Sequence, residues 1–178
     1  NGVDEIYYCD YNLNDKTAAF VSKAKALGFK VYALWGEKDW GEDRSGFDEL
    51  MNNYKTYNRN NPDNKLDGVH LDIEPHQIDD FDTYRSTYLL NFVKFAYTTN
   101  TLYSNIEIHY DIPFWFDDEI TYKGITKKVH EHIIDNANKV VVMSYRDTAE
   151  KIYDIAQEEL IYANSTTTEL SVSVNMTS

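Results

Sequence analysis

The sequence predicts an α/β protein of the (β/α)8 TIM-barrel type, present as an incomplete stretch covering about six βα units. Three observations predict it. Strand-like apolar runs alternate with amphipathic helical runs along nearly the whole chain, as in a parallel sheet covered by helices. No glycine-rich phosphate loop follows the first strand run, so the nucleotide-binding open sheet lacks its signature. Polar residues recur at or near successive strand ends: Asp10, Glu37, Asp72 with Glu74, His109 with Asp111, Tyr145 and Asn175. A barrel gathers its site residues at the C-terminal ends of its strands. A solvent-facing edge would not recur in every strand of a parallel sheet, whose faces are both normally covered.

The elements follow in order. Residues 3–10 (VDEIYYCD) read as a strand, and residues 16–27 as a helix capped by Asn14 or Asp15 and stopped by Gly28. Residues 29–37 form the second strand run. Residues 45–57 place Phe47, Leu50, Met51 and Tyr54 on one helical stripe, and NRNNPDN at 58–64 is a loop. DGVHLDIEP at 67–75 is the third strand, followed by a long helix carrying Tyr84, Tyr88, Phe92 and Phe95. IEIHYDIPFWF at 106–116 is the fourth strand, and Val129, Ile133, Ile134 and Ala137 mark a helix. KVVVMSY at 139–145 is the fifth strand; Ile152, Ile155, Ala156 and Leu160 give one more helix before a sixth strand at 169–175. No linker or domain boundary interrupts this pattern, so residues 1–178 read as one partial barrel domain. A complete barrel takes about 250 residues. The start at Asn1 and the stop just after a strand fit a piece lacking roughly two βα units.

A net charge of −13 argues against nucleic acid and anionic membrane surfaces as partners, since both are polyanions. A neutral substrate is compatible with it. The single cysteine, Cys9, excludes an internal disulfide and a cysteine-based zinc site, and its place in a strand run suggests a small buried residue. No apolar run reaches membrane-spanning length. The 15 tyrosines, beside 8 Phe and 3 Trp, supply rings that stack on sugars as well as core-edge residues. That tilts the composition toward a carbohydrate partner.

The most informative stretch is DGVHLDIEPH, residues 67–76. In an extended strand His70, Asp72 and Glu74 share one face, while Val69, Leu71 and Ile73 share the other. In a barrel the polar face is the lumen, with Glu74 at the mouth. Carboxylates two residues apart on a strand lie about 6.5–7 Å apart at Cα. Like charge at that range raises one of the two pKa values, and a Glu kept protonated can protonate a leaving-group oxygen.

DGVHLDIE resembles the D-G-x-D-x-D-x-E signature of glycoside hydrolase family 18, the chitinases and endo-β-N-acetylglucosaminidases. Asp67, Gly68, Asp72 and Glu74 match, and His70 stands where the family has its first interior Asp. VVVMSY resembles the family's M-x-Y strand through Met143 and Tyr145. The resemblance implies a glycosidase acting on N-acetylhexosamine-containing glycans with retention of configuration. It makes Glu74 the acid on the glycosidic oxygen, Asp72 the group orienting the acetamido carbonyl for attack on the anomeric carbon, and Tyr145 a hydrogen-bond donor to that carbonyl. This substrate-assisted route departs from the two-carboxylate scheme. It implies no cofactor and no metal. Departures are Arg146 where the family has Asp (Asp147 lies one place on) and LWGEKDW in place of S-x-G-G. The family's final strand, with its subsite tryptophan, has no counterpart in these 178 residues.

Further substrate contacts are expected from Trp35 and Trp115 as stacking rings, and from His70, His109, Asp111, Met143 and Asn175 around the carboxylates. Two other readings stand beside this one. His70, Asp72, Glu74, His109 and Asp111 could together hold a divalent cation, as in a metal-dependent hydrolase or phosphodiesterase. The third reading is a catalytically silent barrel that binds glycans, favoured by the altered second carboxylate at His70.

Overall fold

The computed structural model describes residues 2–174. The elements are β1 Glu5–Tyr8, α1 Asp15–Ala26, β2 Lys30–Trp35, α2 Ser45–Asn60, β3 Gly68–Leu71, a 3-10 turn Pro75–Gln77, and α3 Phe81–Leu102. They continue with β4 Glu107–Pro113, β5 Glu119–Tyr122, β6 Ile125–Lys128, α4 Val129–Ile134, β7 Lys139–Met143, α5 Ala149–Ile155, α6 Gln157–Ala163 and β8 Glu169–Ser173.

Six strands form one parallel sheet in the order β1-β2-β3-β4-β7-β8. With the β5–β6 hairpin set aside, that order never reverses, so the sheet has no switch point of the doubly wound kind. Side chains show that it curls. Tyr7 on β1 stacks on His70 of β3 at a centroid distance of 3.9 Å, skipping β2. Lys139 at the start of β7 reaches Glu5 on β1 with an Nζ–Oε2 distance of 2.8 Å. Such contacts between non-adjacent strands require a concave face, and the architecture is an incomplete TIM-barrel-like α/β fold.

Strand alternation sorts the side chains. Val31, Ala33, Trp35, Val69, Leu71, Ile108, Tyr110 and Ile112 point outward and are buried under the helices. They meet Phe47 and Met51 of α2 and Leu89, Phe92, Val93 and Ala96 of α3 in one core. The concave face instead carries Tyr7, Tyr32, His70, His109 and Asp111.

Local chemistry sets several boundaries. The Asn14 side chain accepts from Lys16 N, and the Thr17 hydroxyl accepts from Asn14 N, a capping box worth about 1 kcal/mol. Gly28 ends α1 with φ +89°, a backbone region that suits glycine. Tyr84 departs from helical geometry inside α3. The segment expected as one helix around Ile152 and Leu160 breaks at Ala156 into α5 and α6. Cys9, expected to be buried in a strand, lies just beyond β1 and is exposed. No helix is long and apolar enough to cross a membrane among the described residues.

Candidate active site

The motif's first two residues build the wall. Asp67 accepts the Val31 amide at 2.8 Å and the Lys25 ammonium at 3.0 Å, pinning the start of β3 to β2 and α1. A side chain at Gly68 would collide with Glu107 O at 2.3 Å and the Tyr32 ring at 2.9 Å, so only glycine fits. One layer up, His70 is 1% exposed and its Nε2 lies 2.7 Å from Asp111 Oδ2 of β4. Tyr7 covers the imidazole from the other side.

Asp72 leaves the end of β3 with its amide still bonded to Trp35 O at 2.9 Å. There Gly36 passes so close that a Cβ would sit 1.8 Å from Asp72 O. The missing side chain at Gly36 thus sets the backbone position of Asp72. Burial, then the charges of Asp111 and Glu74, push the Asp72 carboxyl up to about 6, while His70 pulls the other way. Asp72 Oδ1 is buried without a hydrogen-bond partner. The lift on Asp72 thus comes from burial first and from like charge second.

Glu74 opens the 3-10 turn at the rim. One carboxylate oxygen faces His76 Nε2 at 3.5 Å and the other accepts from the Gln77 amide. Burial lowers the His76 pKa, with Glu74 opposing, and its ring stands edge-on to Trp115 at 5.0 Å. Trp115 lies in the turn after β4 and is partly buried, with the Arg85 guanidinium 5.2 Å from its ring centroid. His76 and Arg85 escaped the sequence reading because both lie beyond β3, His76 in the 3-10 turn and Arg85 on α3.

Tyr145 follows β7 and is 52% exposed. Its hydroxyl pKa is raised by burial and further by the charges of Asp111, Asp72 and Glu74, so the phenol stays a donor facing the acids. Met143, two residues earlier, is 9% exposed. Arg146 turns away, its guanidinium 4.9 Å from the Phe114 ring centroid, and Asp147 pairs with Lys151 on the surface at 2.8 Å. Neither joins the acid cluster.

Two expected substrate contacts lie elsewhere. Trp35 shares the outward face with Val31 and Ala33, is 1% exposed, and donates its indole N–H to Asp10 O at 2.9 Å. It belongs to the core and offers no stacking face. His109 is sealed in the floor, where its Nε2 meets Glu107 Oε1 at 3.1 Å and burial lowers its pKa. Asn175 lies outside the described residues. The five residues weighed as a metal set do not converge either: the one cluster of three or more donors found among the described residues is Asp117, His130 and Glu158.

No family model matches the chain, and no curated protein does. Solved structures do. A plant class V chitinase mutant from Cycas revoluta, in complex with (GlcNAc)3, is matched over 89% of this chain at 12% identity and a TM-score of 0.60. A GH18 chitinase from Cycas revoluta with (GlcNAc)3 is matched over 89% at 14% identity and a TM-score of 0.59. A Bacillus subtilis protein described as a sporulation-specific glycosylase is matched over 96% at 11% identity and a TM-score of 0.55. The chain spans 53% of the length of each Cycas chain and 61% of the Bacillus one. On this likeness of architecture the chain has a divergent GH18-like fold.

Proposed function

We propose that the protein is a glycoside hydrolase acting on N-acetylhexosamine-containing glycans by retaining, substrate-assisted catalysis. The observation that carries this reading is the convergence of Asp72, Glu74, Asp111 and Tyr145 at the open end of the concave face, with one Asp72 oxygen buried and unpartnered. An acetamido N–H entering the site would find its acceptor in the Asp72 carboxyl group. Held there, the acetamido carbonyl oxygen attacks the anomeric carbon while Glu74 protonates the departing glycosidic oxygen. The Tyr145 hydroxyl donates to the carbonyl and fixes its direction. Water then opens the cyclic intermediate with Glu74 as base, and the two inversions leave the configuration retained. Trp115 and His76 line the approach beside Glu74. The Cycas chitinases, whose fold this chain shares, carry (GlcNAc)3 in their structures, which supports the choice of sugar.

The test is hydrolysis of N-acetylglucosamine oligomers and of a high-mannose N-glycan by the full-length protein beside Glu74→Gln, with anomers read by NMR. Retained configuration, and a loss of about 10²–10⁴-fold in Glu74→Gln with an unchanged circular dichroism spectrum, are expected. Inverted product would overturn the mechanism. No cleavage by a folded wild-type protein would move the assignment to a glycan-binding barrel.

A further inference from the structure

Away from this site, on the helical side, four side chains meet with unsatisfied chemistry. Asp117 comes from the loop after β4, His130 from the first turn of α4, and Glu158 and Glu159 from the first turn of α6. Donor atoms of Asp117, His130 and Glu158 all lie within 4.8 Å of one another. His130 and Glu159 are buried, with side chains 2% and 1% exposed. His130 Nδ1 and both Glu159 carboxylate oxygens have no hydrogen-bond partner. Inside a protein such orphans cost free energy, and three on two touching residues need an explanation.

The distances supply one. His130 Nδ1 stands 3.4 Å from Asp117 Oδ1 and 3.8 Å from Glu159 Oε1. Both are beyond the 2.7–3.2 Å of an N–H···O hydrogen bond, roughly the range in which such bonds are made. The first is close to the separation of about 3.3 Å between two ligands of a tetrahedral ion with bonds of about 2.0–2.1 Å, and the second is wider. The plainer account is that Lys128 neutralises the cluster, since its ammonium contacts Glu158 and lies 3.4 Å from Asp117. Among the described residues Lys128 pairs directly only with those two exposed carboxylates, although its charge is felt at Glu159 and His130. No contact of it reaches Glu159 or His130 Nδ1, the buried groups left unpaired.

We propose that Asp117, His130 and Glu158 form a structural binding site for a divalent cation of the zinc type, with Glu159 the buried carboxylate beside His130 Nδ1. One imidazole nitrogen with carboxylate oxygens selects a borderline ion such as Zn2+ over Ca2+ or Mg2+, which take six or more oxygen ligands or keep several waters. Charge closes as well: three carboxylates, a divalent ion and the neighbouring Lys128 sum to zero. The ion joins α6 to two elements already hydrogen-bonded to each other, for His130 N donates to Phe116 O at 3.1 Å and Val129 N to Asp118 O at 3.0 Å. It thereby adds to the restraints on the loop that carries Trp115, among them Arg85 gripping Asp118 at 2.8 Å. This inference does not depend on the reaction proposed above.

The experiment is equilibrium dialysis of the full chain against ZnCl2, with metal counted by mass spectrometry, and parallel loading with Co2+ to read visible absorption. One Zn2+ per chain, a tetrahedral Co2+ spectrum, and a Tm rise of roughly 5–10 °C at a hundredfold excess over Kd are expected. The double variant Asp117→Asn/Glu158→Gln alters exposed positions only and so keeps the fold. It should lose at least about tenfold in affinity along with the Tm response. His130→Ala should abolish both. Failure to retain stoichiometric metal, or retention undiminished in the double variant, would overturn the proposal.

Discussion

His70 and Asp111, forty-one residues apart in sequence, meet at 2.7 Å across β3 and β4 and fill the layer directly beneath Asp72. The GH18 signature that this motif resembles has Asp where His70 stands. Here the neighbouring strand delivers the carboxylate and position 70 supplies its partner. The exchange keeps one interior acid under Asp72 while adding a group that moderates its charge, for Asp111 raises the Asp72 pKa and His70 lowers it.

This exchange predicts non-additive substitutions. His70→Asp alone crowds a third carboxylate against Asp72 and Asp111 and strands Asp111 without its partner. A loss of about 2–3 kcal/mol is expected in urea titration. Adding Asp111→Asn removes the repulsion and should recover at least half of that loss, a coupling of more than about 1 kcal/mol. Strict additivity of the two single changes would mean the pair is not a unit.

Asp72 itself predicts a pH-dependent stability. Its folded pKa, about 6, stands above its usual value of 3.8, so the folded state holds the proton more tightly. The resulting stabilisation is complete below about pH 4 and is lost as pH rises through about 6. At pH 8 the carboxylate is charged, partly buried and short of one partner. Asp72→Asn should therefore stabilise the fold at pH 8 and raise its Tm, by an amount of stability on the order of 1 kcal/mol once solvent screening is allowed for. At pH 4 it should change little. A variant equally stabilising at both pH values would show that Asp72 does not carry this linkage.

Much of this architecture was legible in the order of strands and helices, because period-two runs alternating with period-3.6 runs require a parallel, helix-covered sheet. The 70/72/74 alternation likewise located the concave face. Contacts between strands were not legible: nothing in the sequence says that Tyr7 covers His70, or that Asp111 rather than Asp67 faces it. The β5–β6 hairpin was hidden because its turn falls at Lys123-Gly124 between strands of only four residues, the second of which has no apolar alternation. Trp35 shows the opposite error. A tryptophan at a strand end suggests a sugar platform, but its parity with Val31 and Ala33 already placed it outside the lumen.

Gly36 offers a way to move Asp72 without changing its chemistry. The Cβ of Gly36→Ala would fall 1.8 Å from Asp72 O, a backbone atom that can retreat only by shifting the carboxylate behind it. The expected results are a stability loss of about 1–3 kcal/mol and a fall in kcat of roughly 100-fold, with the acid and its helpers all present. Unchanged kcat in the folded variant would show that the placement of Asp72 does not limit the reaction.

The two tryptophans separate wall from platform. Trp35→Ala empties a fully buried position and breaks the bond to Asp10 O, so a loss of about 3–5 kcal/mol is expected. Any activity surviving below its lowered Tm should show an ordinary KM. Trp115 sits at the rim, partly buried at the edge of the core, against His76 and under Arg85. Trp115→Ala should cost little stability but remove a stacking ring next to the acid, raising KM by roughly tenfold, about 1.4 kcal/mol of binding. Tm and steady-state kinetics on the two variants decide the matter together. If Trp115→Ala leaves KM unchanged, the sugar does not pass over this ring, and the approach to Glu74 must run along the Tyr145 side of the cleft instead.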